Sequence, residues 1–146
     1  MGSDSNYLVV IDTNIVLDLL VFMDPSCGPL RQALEYGQLR WLVTGAMRDE
    51  LARVLSYPNL MPRLLRGQLS AQQVLAEFDQ KSQVVAAAGS ATVRCTDPDD
   101  QIFVDLAVAH QALLLSKDQA VLVLKTRLLA LGVVAQSVLP SFETPP

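Results

Sequence analysis

The sequence predicts an α/β fold of three layers, α/β/α, around a central parallel sheet of four or five short strands. Three observations carry that prediction. Short apolar runs, such as the β-branched residues 7–11 (YLVVI) and then 112–115 (ALLL), read as buried strands. Stretches with helical spacing separate these runs, and strand and helix alternate four or five times. Carboxylate-bearing turns follow the strands at once, which is where a parallel sheet forms its ligand site.

Taken in order, residues 7–11 are the first strand, and Asp12-Thr13-Asn14 leads into a helix over 15–23. Residues 30–39, fronted by Gly28-Pro29, form a second helix, and 41–43 a second strand. Residues 46–55 place Met47, Leu51, Val54 and Leu55 at helical spacing, and Tyr57-Pro58 stops that helix. Ser70 caps a long helical stretch over 71–88 that ends at Gly89, and Val93 lies in a candidate third strand. Thr96-Asp97-Pro98 reads as a helix start, with Asp97 as cap and Pro98 in the first turn. That helix runs to about Gln111. Residues 112–115 are the next strand, closed by Ser116-Lys117-Asp118; a helix over 121–131 ends at Gly132, and 133–135 is the last strand.

The 146 residues suit one domain, expected over 1–139, with a flexible tail over 140–146 (PSFETPP). Half the chain is hydrophobic (51%) and only 18% charged, which excludes intrinsic disorder. Eleven basic against 15 acidic residues give −4, so a uniformly basic nucleic-acid coat protein is excluded as well. The mean hydropathy of +0.31 raises the question of a membrane span. Asp12, Asp18 and Asp24 interrupt the first apolar region, and no run approaches the ~18 residues a span requires. The polar start, without a basic residue, does not read as a secretory signal, and Cys27 and Cys95 lie far apart as reduced thiols would. A cytoplasmic location is therefore expected. So much apolar sequence in a small domain also suggests an exposed face for a homodimer or another partner.

Four carboxylates come from four strand–helix junctions or their next turn: Asp12, Glu50, Asp100 and Asp118. Singly, each has a plain structural reading. Asp12 and Asp118 are placed to cap helices, and Glu50 to pair with Arg53 on a solvated helix face. Asp97, Asp99 and Asp100 complement a helix dipole, and for Asp97 and Asp99 that reading is preferred. The plain reading fails for the set, because carboxylates gathered at one sheet edge repel and raise one another's pKa. A divalent cation removes the penalty, and an all-oxygen donor set suits Mg²⁺ or Mn²⁺. Such a site serves phosphodiester hydrolysis, with one carboxylate left free to orient the attacking water.

Four motifs in this order resemble the PIN-domain nucleases. They are Val10-Ile11-Asp12-Thr13-Asn14-Ile15, then Glu50-Leu51 with Arg53-Val54-Leu55 and Tyr57-Pro58, then Asp97-Pro98-Asp99-Asp100-Gln101-Ile102-Phe103, and last Leu115-Ser116-Lys117-Asp118. The resemblance spans about residues 7–135 and is closest to the toxin components of bacterial toxin–antitoxin pairs, the VapC-like ribonucleases. It implies a metal-dependent endoribonuclease acting on single-stranded RNA, a homodimer, and neutralisation by a cognate antitoxin. It gives metal-site and catalytic roles to Asp12, Glu50, Asp100 and Asp118, with Thr13 or Asn14 supporting the site through hydrogen bonds. The chain departs from the pattern where members commonly carry a second Asp two residues after Asp118; here that residue is Ala120. Lys117 stands where Gly is frequent. The departure bears on metal affinity and on the number of metals bound.

Arg48 and Arg53, with Lys117, are candidate contacts to RNA phosphates, and Arg63 and Arg66 lie close by in sequence. The alternative is an ordinary solvated face. Trp41 and Tyr57 read as core or loop anchors more readily than as base-stacking platforms, and His110 as a helix-end residue. A haloacid-dehalogenase-type phosphatase needs Asp-x-Asp after the first strand, and Asn14 breaks that pattern. A receiver domain needs an acidic pair there, which is absent. A catalytically degenerate PIN-like module that only binds RNA or a partner is the remaining rival, and Ala120 is its support.

Overall fold

A computed structural model of the chain describes residues 7–139; the tail expected over 140–146 lies outside the described residues. Strand β1 (Tyr7–Ile11) leads into helix α1 (Thr13–Leu20), and a single turn at Pro25–Cys27 leads into α2 (Gly28–Glu35). Strand β2 (Leu39–Val43) precedes three helices, α3 (Gly45–Leu55), α4 (Met61–Arg66) and α5 (Ala71–Lys81), and then β3 (Ser82–Val84). An irregular segment over 85–100 reaches α6 (Gln101–His110) and β4 (Leu113–Leu115). Two short helices, α7 (Gln119–Leu122) and α8 (Lys125–Ala130), precede β5 (Ala135–Gln136).

Val9 and Val10 are fully buried and offer no polar side-chain atom to either face, so β1 sits in the middle of the sheet. All five strands are parallel in the order β3-β2-β1-β4-β5, with helices covering both faces as an α/β/α sandwich. Ile11 lies opposite Leu115, and Val43 opposite Val84, so the strands finish along one edge. The chain winds outward from β1 through β2 and β3, then returns to the other side of β1 for β4 and β5. The winding therefore reverses between β1 and β4, and a crevice is expected outside their carboxyl ends.

Helix α6 packs on β1 and β4, α2 on β2 and α8 on β5, while α1, α3 and α5 pack on one another. Trp41 and Phe78 meet edge to face, 5.0 Å between centroids at 83°, and fix α5 against β2. Burying a side chain such as Phe78 contributes about 1.5–3 kcal/mol. Trp41 is thus a core residue, and base stacking by it is ruled out by its burial. Both cysteines are free thiols. Among the described residues no helix is long and apolar enough to cross a membrane.

Several local expectations need correction. The helix expected over 71–88 stops at Lys81, because the Ser82 hydroxyl donates to the Phe78 carbonyl (2.6 Å) and the backbone turns extended. Ser82–Val84 then joins β2 as the third strand. Val93 is not in a strand; its carbonyl accepts from the Gln101 side chain (3.1 Å) instead of from a neighbouring strand. Asp97 does not cap α6, which opens at Gln101 with no side-chain cap bond; Asp97 Oδ1 accepts from the Asp99 N–H (3.0 Å). The helix expected over 121–131 is broken, because a tight turn closes at Leu124, whose N–H donates to Val121 (2.9 Å). Leu39 belongs to β2, and the short helix α4, with Pro62 in its first turn, was not expected.

Candidate active site

The crevice between β1 and β4 is built from two tight strand ends. Asp12 follows β1 in extended backbone, and its N–H donates to the Leu115 carbonyl of β4 (3.0 Å). Its Oδ1 accepts from the Asn14 N–H (2.7 Å), the cap bond that starts α1, and its Oδ2 accepts from the Ser116 hydroxyl (2.5 Å). Asp12 is 3% exposed and Ser116 fully buried. The same Ser116 oxygen accepts from the Asp118 N–H (3.1 Å), and Asp118 Oδ1 accepts from the Ala120 N–H (2.9 Å) to cap α7. One hydroxyl therefore fixes both Asp12 and the turn that carries Asp118. The capping readings of Asp12 and Asp118 hold, and the same residues stand at the crevice.

Glu50 reaches the site from α3. The Thr13 hydroxyl donates to its Oε1 (3.2 Å), while Asn14 contributes its backbone N–H to Asp12 and leaves its side chain exposed. Asp100 enters from the start of α6. It is 9% exposed, and its Oδ2 is buried without a hydrogen-bond partner. Asp97, Asp100 and Asp118 each offer an oxygen within 4.8 Å of the others'. Asp12 and Glu50 stand outside that group of three but feel it or one another electrostatically.

Electrostatics follow from this crowding. Burial, then the bond and charge of Asp118, and then the charges of Asp12 and Asp97 push the Asp100 carboxyl up to about 8. Asp118 is held below the ordinary carboxylate range by the bond from Asp100 and by the Ala120 N–H. Burial raises Asp12 against the opposing bonds from Ser116 and Asn14. Burial also raises Glu50, with Thr13 opposing and the charges of Asp12 and Asp99 adding. Metal-free, the site is under repulsive strain, and a cation reverses that balance. The donors present are hard carboxylate oxygens with one buried oxygen lacking a partner, which fits Mg²⁺ or Mn²⁺. His110 sits at the far end of α6, roughly 15 Å along the helix from Asp100.

Beside Glu50 a cavity of about 330 Å³ opens between α3 and the start of α6, with Glu50 and Arg53 on one wall and Pro98, Asp99 and Ile102 on the other. Arg53 thus faces the groove. Arg48 instead makes a two-pronged ion pair with Asp79 of α5 (2.8 and 2.9 Å), and Lys117 pairs with buried Asp18 of α1 (2.5 Å). Both cations are occupied by carboxylates, which leaves Arg53 the better placed of the three for a phosphate.

Three residues carry more of the site than their sequence reading gave them. Asp97 read as a dipole partner, yet it lies among the carboxylates. Ser116 read only as part of a turn. Gln101, buried, donates to the Val93 carbonyl and to Asp105 (2.8 Å) and accepts from the Cys95 N–H (2.6 Å), pinning the 85–100 segment to α6. The available signal was polar type at a position the helical period assigns to the core.

Residues 8–120 match the family model described as PIN domain. No curated protein matches the sequence.

Proposed function

Because the chain belongs to the PIN-domain family, whose members are generally nucleases, we propose that it is a divalent-metal-dependent endoribonuclease that hydrolyses phosphodiester bonds of single-stranded RNA. The observation that carries this reading is the buried, partnerless Asp100 Oδ2 inside a carboxylate cluster at the switch point of the sheet. Asp12, Asp100 and Asp118 are the residues to hold the cation. The chemistry a divalent cation supplies in such a site is acidification of a water and neutralisation of phosphate charge.

The chain's own groups have distinct tasks. Ser116 and the Asn14 N–H aim the Asp12 carboxylate and keep it from rotating. Glu50, raised by burial and steadied by Thr13, is placed to orient the attacking water and accept its proton. Arg53 meets a phosphate of the strand lying in the groove, and the apolar edges of Pro98 and Ile102 leave room for a base. By the resemblance to the toxin branch of the family, the enzyme works as the toxin of a toxin–antitoxin pair, in the cytoplasm, as a homodimer restrained by a cognate antitoxin.

A second reading, a degenerate PIN-like module that binds RNA or a partner without turnover, is favoured by Ala120 alone. Glu50→Gln separates the two. On the enzyme reading, it binds Mn²⁺ and folds but cuts labelled single-stranded RNA on the order of 10²–10⁴-fold more slowly. Wild-type protein that binds Mn²⁺ and RNA but cuts nothing supports the binding module instead.

A further inference from the structure

The resemblance gives metal-site roles to Asp12, Glu50, Asp100 and Asp118, and says nothing of Asp97. Its plain role, capping α6, is not performed, since that helix opens four residues later, at Gln101, without a side-chain cap bond. The one bond recorded for its carboxylate is from the Asp99 N–H (3.0 Å), which the neutral amide of an asparagine would accept equally well. A charge at this position is therefore unexplained by the turn. It is also costly there, because Asp97 shares a space 4.8 Å across with Asp100 and Asp118, and like charges that close repel.

The independent sign of a ligand is Asp100. Its side chain is nine-tenths buried, and its Oδ2 has neither a donor nor water access. A buried acceptor in that state calls for a donor or a cation. No Lys, Arg or His supplies one among the described residues. The first turn of α7 adds no carboxylate beside Asp118, because Gln119 and Ala120 follow it. The 97–100 turn, closed by the Asp100 N–H on the Asp97 carbonyl (3.1 Å), brings a second carboxylate to the same point.

From this we infer that Asp97 is a direct ligand of the divalent cation, joining Asp100 and Asp118 as a further carboxylate beside the Asp12 already assigned to it. The inference rests on the metal-dependent reading above and adds a ligand to it. Asp97 and Asp100 grip the cation from one turn, and Asp118 grips it from the end of β4.

The test is calorimetric titration of the full chain with Mn²⁺, without RNA, for wild type, Asp97→Asn and Asp99→Asn. In Asp97→Asn the side-chain amide oxygen still accepts from the Asp99 N–H, so the turn is retained. The metal-free melting temperature of that variant should stay level or rise as repulsion is relieved. Its Mn²⁺ affinity should fall at least about tenfold, the loss that follows even disturbance of an outer partner of a metal site. Asp99→Asn, which removes the same charge two residues away, should leave the affinity unchanged. Wild-type affinity in Asp97→Asn, or equal losses in both variants, overturns the inference and leaves the metal-dependent reading standing. Wild-type protein that does not bind Mn²⁺ overturns both.

Discussion

Ser116 is the residue on which two site carboxylates depend. It donates to Asp12 and accepts from the Asp118 N–H from a fully buried position. Ser116→Ala takes the Ser116 partner from the Asp12 Oδ2 and from the Asp118 N–H and should destabilise the protein by on the order of 1–3 kcal/mol, read from denaturant midpoints. A variant as stable as wild type would show that water takes over the hydroxyl's place. A pH dependence belongs to the same scale. In metal-free protein, Asp100 holds its proton up to about pH 8, whereas in the unfolded chain it loses it near 3.8. Its contribution to stability is thus fully present below about pH 4 and is lost as pH rises towards 8. Asp12 and Glu50, both raised, act in the same direction. Asp118, held low, is charged in both states across that window and adds no slope. With a chelator present, the melting temperature should therefore fall between pH 5 and pH 8, and Mn²⁺ should narrow the drop. A melting temperature that rises across the window would contradict the crowded site.

At the scale of elements, the 85–100 segment is the unusual piece, because it crosses back towards β1 without a strand of its own. Gln101 replaces the missing ladder with two side-chain bonds to the segment, and Asp105, held by a third bond from Gln101, accepts from the Ala91 N–H (2.9 Å). Gln101→Leu should cost on the order of 1–3 kcal/mol and speed hydrogen exchange across residues 91–100, while α1 and β1 stay protected. Exchange unchanged in that segment would mean that apolar packing alone holds it. The same segment marks where the sequence stopped being legible. β1, β4, α3 and α6 were readable because their apolar residues form short buried runs or follow the helical period. β3 was hidden, because Ser82 and Gln83 continue the polar face of α5 and only a side-chain bond to Phe78 ends the helix. Asp12, Glu50, Asp100 and Asp118 were legible as strand-end carboxylates. Asp97 was not, because an aspartate before proline matches a helix start whether or not its carboxylate turns elsewhere.

At the scale of the molecule, the core takes up most but not all of the apolar sequence. Leu65 on α4, Val123 between α7 and α8, and Leu129 on α8 stand largely exposed. A homodimer covering such side chains is expected in light scattering of the full chain, and a monomer at high concentration would remove it. The whole fold also places the crevice where the winding reverses, so the parallel sheet, the crowded carboxylates and the cation they call for depend on one another. The most direct measurement compares wild type with Asp12→Asn for cleavage of end-labelled single-stranded RNA and for the rise in melting temperature that Mn²⁺ produces. Asn caps α1 about as well as Asp, so the variant should fold and melt no lower than wild type when metal-free. It should nevertheless lose both the Mn²⁺-induced rise and the cleavage, and a chelator should abolish cleavage by wild type. Asp12→Asn that keeps the wild-type rise and cuts RNA at the wild-type rate would contradict the assignment of this carboxylate cluster as the active site.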